Sequence, residues 1–161
     1  MFLRFFTVCL LILTLFNNAI GQSKMEMQTF ITEDLKKISE TFLTTQNGEI
    51  WQKESNYGFT IQNCNLIITS KYSSDGKTGD AKVIIPITDI SEVNLIRYER
   101  RGEFTSSSRL QIKTSSHTMK RFWNGKMINM DDSTIIGINN YSLDIGQKYR
   151  SIFREFSKYC D

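Results

Sequence analysis

The sequence predicts an α+β domain: an N-terminal helix, an antiparallel strand meander folded into a sandwich or half-barrel, and a C-terminal amphipathic helix. Two periodicities carry that expectation. Apolar residues recur at steps of three and four near both ends of the chain, the spacing of one helix face. Between Ile50 and Ile138 they fall instead into short runs rich in Ile, Val, Thr and aromatics, broken by Gly, Asn, Asp and Ser clusters, as in hairpin-connected strands. No internal repeat, low-complexity tract or linker divides the sequence.

The chain opens on a different pattern. Met1 to Arg4 carries one positive charge, Phe5 to Phe16 is an almost unbroken apolar run, and Ala19 and Gly21 are small residues at the two positions a signal peptidase reads. This order predicts a cleavable signal peptide over residues 1–21, cut between Gly21 and Gln22. The apolar run is too short to cross a bilayer, which takes about 20 residues, and Cys9 lacks the preceding small residue that a lipid-attachment cysteine requires. Cleavage leaves residues 22–161, the length of one globular domain. The full chain has 20 basic and 17 acidic residues, and Arg4 leaves with the leader. That near balance gives no support to nucleic-acid binding. No second apolar stretch has transmembrane length, so the product is expected to be secreted or periplasmic, with no transmembrane span.

Met27, Phe30, Ile31, Leu35, Ile38 and Phe42 share one face, with Glu33, Asp34, Lys36, Lys37 and Glu40 between them, which predicts a helix over 25–44 stopped by Gln46-Asn47-Gly48. Glu33 and Asp34 read as carboxylates that solvate its polar face. The sheet region, 50–138, is expected to hold about six or seven strands. Leu66, Ile68 and Tyr72 alternate with polar neighbours; Asp75-Gly76 and Gly79-Asp80 mark a turn; Val83, Ile85 and Ile87 form an inward row that Pro86 places at an edge or ends, having no ladder donor. Val93 to Arg101 reads as a strand with a bulge near Leu95. Arg109, Gln111 and Lys113 alternate with Leu110 and Ile112, a strand wet on one side. Asn124-Gly125 predicts a two-residue hairpin, because both positions need positive φ. Thr134 to Ile138 is the last strand. Ile145, Tyr149, Ile152, Phe153, Phe156 and Cys160 then mark a helix over 142–160, with Ser142 as N-cap and Gly146 weakening its first turn.

A strand meander closed by one C-terminal amphipathic helix, from Asn63 to Tyr159, resembles the pleckstrin-homology-like architecture. The Val83-Ile84-Ile85-Pro86-Ile87 strand followed by Thr88-Asp89-Ile90 is a landmark also seen in small exported domains of unknown function. The resemblance implies two nearly orthogonal sheets capped by the helix, and it transfers no site residue. The N-terminal helix is an addition to that pattern.

Two cysteines survive cleavage, Cys64 and Cys160. In an oxidising compartment an even count favours one disulfide over two separately buried thiols. His117, the only histidine, falls in the turn Ser115-Ser116-His117, where an exposed residue is expected rather than a catalytic base. No clustered ligands suggest a metal, Asp131-Asp132 being an adjacent loop pair, and no glycine-rich phosphate loop suggests a nucleotide. No cofactor is expected.

Two basic-aromatic runs remain, Arg97-Tyr98-Glu99-Arg100-Arg101 and Lys120-Arg121-Phe122-Trp123. On adjacent strands, Arg97, Arg100, Arg101, Lys120, Arg121 and Trp123 could form a patch that grips an acidic group or stacks a planar one. The competing expectation has the arginines solvated on a wet sheet face and Phe122 or Trp123 in the core. The functional expectation is a non-enzymatic exported binding or interaction domain, its partner an envelope or extracellular protein, a glycan or a lipid headgroup. The alternative is a small apolar-ligand carrier of lipocalin-like barrel type, from which Gly48-Glu49-Ile50-Trp51 departs by missing the G-x-W spacing.

Overall fold

The computed structural model describes residues 23–46, 49–74, 76–96, 108–139 and 142–160. The expected signal peptide and the residues Arg97, Arg100 and Arg101 lie outside them. Helix α1 covers 23–38 and buries Ile31, Leu35 and Ile38. Phe30, expected on the same face, is half exposed and lies beside the Lys148 ammonium, 5.9 Å from the ring centre.

The helix stops six residues short of its expected end. The Glu40 N–H donates to Gly137 O and the Asn139 N–H to Ile38 O, so the chain leaves the helix by joining the last strand. Phe42–Gln46 is then a strand, β1, not helix. The apolar step of four from Ile38 to Phe42 imitates a helix face, whereas Thr44 and Thr45 are β-branched and suit an extended backbone. Gln46 closes β1 instead of capping a helix.

Eight more strands follow among the described residues, so the expected six or seven is an undercount. They are β2 (Glu49–Gln62), β3 (Asn65–Ser74), β4 (Lys77–Pro86), β5 (Ile90–Ile96), β6 (Ser108–Thr114), β7 (Met119–Trp123), β8 (Lys126–Asp131) and β9 (Ser133–Ile138). All pairings are antiparallel, and the order is β1-β2-β3-β4-β7-β8 in one sheet and β5-β6-β9 in the other. The two sheets are not closed into a barrel.

Several elements match the sequence closely. Val83, Ile85 and Ile87 are buried, and β4 ends at Pro86 before a short 3-10 turn, Ile87–Asp89. Asn124 and Gly125 have φ of 46° and 78° between β7 and β8. Three features differ. Gly79 and Asp80 lie inside β4, not in a turn. The irregularity in β5 falls between Ile90 and Glu92, not at Leu95. Helix α2 spans Ile145–Ser157, with Asp144 at its N-cap in place of Ser142, whose hydroxyl hydrogen-bonds the Asp144 carboxylate.

Tyr149, Phe153 and Phe156 of α2 join α1 and both sheets in one apolar core. Asp34 does more than solvate α1: its Oδ2 accepts hydrogen bonds from Lys148 Nζ and Tyr149 OH, each at 2.7 Å, tying the two helices together. Burial alone would raise its carboxyl, but these two bonds win and hold it below the ordinary range.

Gly146 has a reason the sequence does not show. A Cβ there would lie 2.7 Å from Val93 O and 3.2 Å from Leu95 N, so the first turn of α2 rests directly on the β5 backbone. Helix propensity favours alanine over glycine by about 1 kcal/mol. Here Gly146→Ala is expected to have the opposite sign, a loss of about 1–3 kcal/mol from overpacking, measured by urea unfolding.

Candidate functional site

Side chains alternate along a strand, and that alternation builds a gradient across the inner face of the large sheet. On β3 the inward row runs Leu66, Ile68, Ser70, Tyr72; opposite it on β4 stand Ile85, Val83, Ala81 and Gly79. On β7 the row is Met119, Arg121, Trp123, with Arg121 opposite Val83 and Trp123 opposite Ala81. One end of this face is therefore core, with Leu66, Ile85 and Met119 fully buried. The other end opens into a cleft of about 460 Å³ between the sheets, where Glu54, Tyr72, Arg121 and Trp123 meet Arg109 and Ile135 of the small sheet.

The same alternation divides the basic-aromatic run. Arg121 and Trp123 face the cleft, whereas alternation assigns Lys120, which is exposed, and Phe122, which also borders the cleft, to the outer face. Lys82 Nζ stands 5.5 Å from the Phe122 ring centre there. Phe122 and Trp123 are both half-buried, so neither is a core residue. Trp123 meets Tyr72 edge to face at 5.2 Å between centroids, and it needs Gly79 beneath it: a Cβ at that position would lie 2.7 Å from indole Cζ2.

Arg121 is not a solvated arginine. Its Nε donates to Asp131 Oδ2 at 2.9 Å and its terminal nitrogen to Ser133 O at 2.7 Å, which fastens β7 to the turn between β8 and β9. Burial would raise the Asp131 carboxyl, but the Arg121 bond and the Asp132 N–H outweigh it and hold it low. Asp131 is thus the end of a strand and a partner for arginine, not one of a loop pair.

Glu54 and Arg109, which line the cleft, and Tyr57, buried beside Glu54, escape a reading of the sequence. Glu54 lies in the long strand β2, and Ser70 Oγ donates to its Oε1 at 2.6 Å. Burial raises its carboxyl above the ordinary range, in spite of the Ser70 bond and the nearby Arg121 charge. Tyr57 accepts the Gly137 N–H at 3.4 Å; burial, with Glu54 beside it, pushes its hydroxyl far upward and keeps it protonated. Arg109 stands on the face of β6 expected to be wet, yet it is half-buried and lines the cleft.

The cleft therefore combines an aromatic pair and apolar wall with two guanidinium groups and a carboxyl reluctant to ionise. That arrangement can hold a molecule with a planar or apolar body and a polar head. His117 lies exposed in the bend at 115–117 and is not among the residues that line the cleft. Among the described residues no group of three or more His, Cys, Asp or Glu is placed to hold a metal ion. Cys64 and Cys160 are joined in a disulfide. No protein-family model matches the chain, and neither a curated protein nor a solved structure shows significant similarity to it.

Proposed function

We propose that this chain is an exported, non-enzymatic binding domain that takes its ligand in the cleft between the sheets. The observation that carries the reading is the cleft's size and lining. Ligand sites are typically concavities of about 300–1,000 Å³, apolar for the most part, with a few convergent polar groups. The 460 Å³ cleft, with Trp123, Tyr72 and Ile135 around Arg109, Arg121 and Glu54, fits that description. A disulfide and the absence, among the described residues, of a helix able to cross a membrane fit an exported product. The pleckstrin-homology-like reading is consistent with a binding role, since sheets capped by a helix leave an open cleft rather than the closed lumen of a lipocalin-like carrier.

The test uses 8-anilinonaphthalene-1-sulfonate, which joins a planar apolar body to an anionic head. Saturable binding to one site is expected, weakened at least tenfold by Trp123→Leu or Ile135→Glu and unchanged by Lys120→Glu on the outer face. Binding that no cleft substitution affects would reject the cleft as the site. Turnover of any compound by the homogeneous protein would reject the non-enzymatic part of the proposal.

A further inference from the structure

β8 closes one end of the six-stranded sheet, and among the described residues no strand pairs with its outer edge. Exposed backbone of this kind is a template for another strand, and proteins ordinarily blunt it with charged side chains along its length. β8 instead presents Met127, Ile128 and Met130, which are 50%, 62% and 48% exposed. Its two charged residues, Lys126 and Asp131, stand at opposite ends.

The register with β7 shows how these side chains are distributed. Lys126 faces Trp123, Met127 faces Phe122, Asn129 faces Arg121, Met130 faces Lys120 and Asp131 faces Met119. Ile128 has no partner in this register and is the extra residue of a bulge. Directly opposed residues point to the same side of a sheet. Met127 and Met130 therefore share the outer face with Phe122 and Lys120. Lys126, Asn129 and Asp131 share the cleft side with Trp123 and Arg121, and Ile128, which lines the cleft, joins them.

We propose that β8 is a self-pairing edge, at which two copies of this chain join antiparallel about a two-fold axis to make one continuous sheet. The centre of symmetry falls between Ile128 and Asn129. In that register Lys126 faces Asp131 of the second copy, Met127 faces Met130, and Ile128 faces Asn129. Every opposed pair then lies on one side of the sheet, Met with Met on the outer face and the other two pairs on the cleft side. A regular six-residue strand could not do this, because in the same register each residue would oppose one from the other face. The bulge at Ile128 corrects the parity. At each end Lys126 meets the Asp131 carboxylate, which stays 32% exposed while it holds Arg121, and four exposed methionines are brought together in the middle. A two-fold contact requires this kind of self-complementary patch.

The contact is small beside the roughly 1,200–2,000 Å² of a stable interface, so the pair should be weak and concentration-dependent. Sedimentation equilibrium of the disulfide-bonded protein from about 10 μM to about 1 mM is expected to show the weight-average mass rising from one chain toward two. Met127→Lys and Met130→Glu should each keep the protein monomeric across that range. An equimolar mixture of the two variants should regain the dimer as a heterodimer, because the new lysine faces the new glutamate only in this register. A wild-type protein that stays monomeric at 1 mM overturns the proposal. So does a dimer that both variants leave intact, which would place the contact elsewhere. So would failure of the mixture to associate while each variant is folded and monomeric. A monomer whose β8 substitutions instead abolish binding to vesicles of anionic lipid would make this edge a membrane contact and overturn the proposal as well.

Discussion

Replacing Cys64 and Cys160 together by alanine is expected to remove about 4–5 kcal/mol of unfolding free energy, measured by urea titration of the oxidised wild type against the double variant. The bridge spans a sequence separation of 96, and cross-linking so long a loop takes conformational entropy mainly from the unfolded chain. The loss is a large part of the 5–15 kcal/mol that holds most domains together. Local structure makes the site ready for it. Cys64 occupies the two-residue turn between β2 and β3, with Asn63 and Cys64 at φ of 48° and 57°, and Cys160 follows the last turn of α2. The start of α1 reaches the same point: Lys24 Nζ donates to Tyr159 O at 2.6 Å, and Ser23 Oγ lies 3.0 Å from Tyr159 OH. Reduction should therefore also loosen the end of α2 from the hairpin, seen as faster amide exchange over residues 156–160. A double variant within about 1 kcal/mol of wild type would show that the turn and helix hold their geometry without the bond.

What could be read from the sequence was whatever each segment decides by itself. The strict alternation of Ser108–Thr114, the Asn124-Gly125 turn and the three-four spacing of Tyr149, Phe153 and Phe156 all sit where their local chemistry puts them. The end of α1 was not legible, because Phe42 continues a helical step and only pairing with β2 makes the segment a strand. Gly79 and Gly146 look like ordinary breakers until Trp123 and the β5 backbone are seen against them. The cleft was legible in part. Trp123 and Arg121 belong to a run that stands out for composition, yet alternation puts their neighbour Lys120 on the other face. Arg109 and Glu54 give no local sign, since a polar residue on a strand looks the same whether water or a second sheet covers it.

Arg121 is where the structure most changes the expectation for a basic surface residue, and Arg121→Ala is expected to destabilise the fold by about 2–3 kcal/mol at neutral pH. A fully buried pair would lose more, about 3–5 kcal/mol, when one partner is removed. Here the Arg121 and Asp131 side chains remain 30% and 32% exposed, so water screens part of the loss. The substitution strands the Asp131 carboxylate and Ser133 O, and it removes a positive charge that acts on Glu54. The pH dependence follows from the two carboxyls. Asp131 is held low in the folded state, so its contribution is present above the unfolded value and fades as pH falls through the folded one. Glu54 is held high, so its contribution is present below the unfolded value and is lost as pH rises through the folded one; Arg121 limits that loss. Both make Arg121 most valuable near neutral pH and less so in acid, where Glu54, held high, protonates first and Asp131, held low, last. Glu54→Gln keeps an acceptor for Ser70 but cannot ionise. Alone it should raise stability near neutral pH and make no difference in acid, and in its background the cost of Arg121→Ala should shrink. Urea titrations of the four proteins of this cycle, at about pH 7 and about pH 3, measure the coupling directly. An Arg121→Ala cost that is the same at both pH values, and the same with glutamine at position 54, would mean that the guanidinium acts through packing and not through charge.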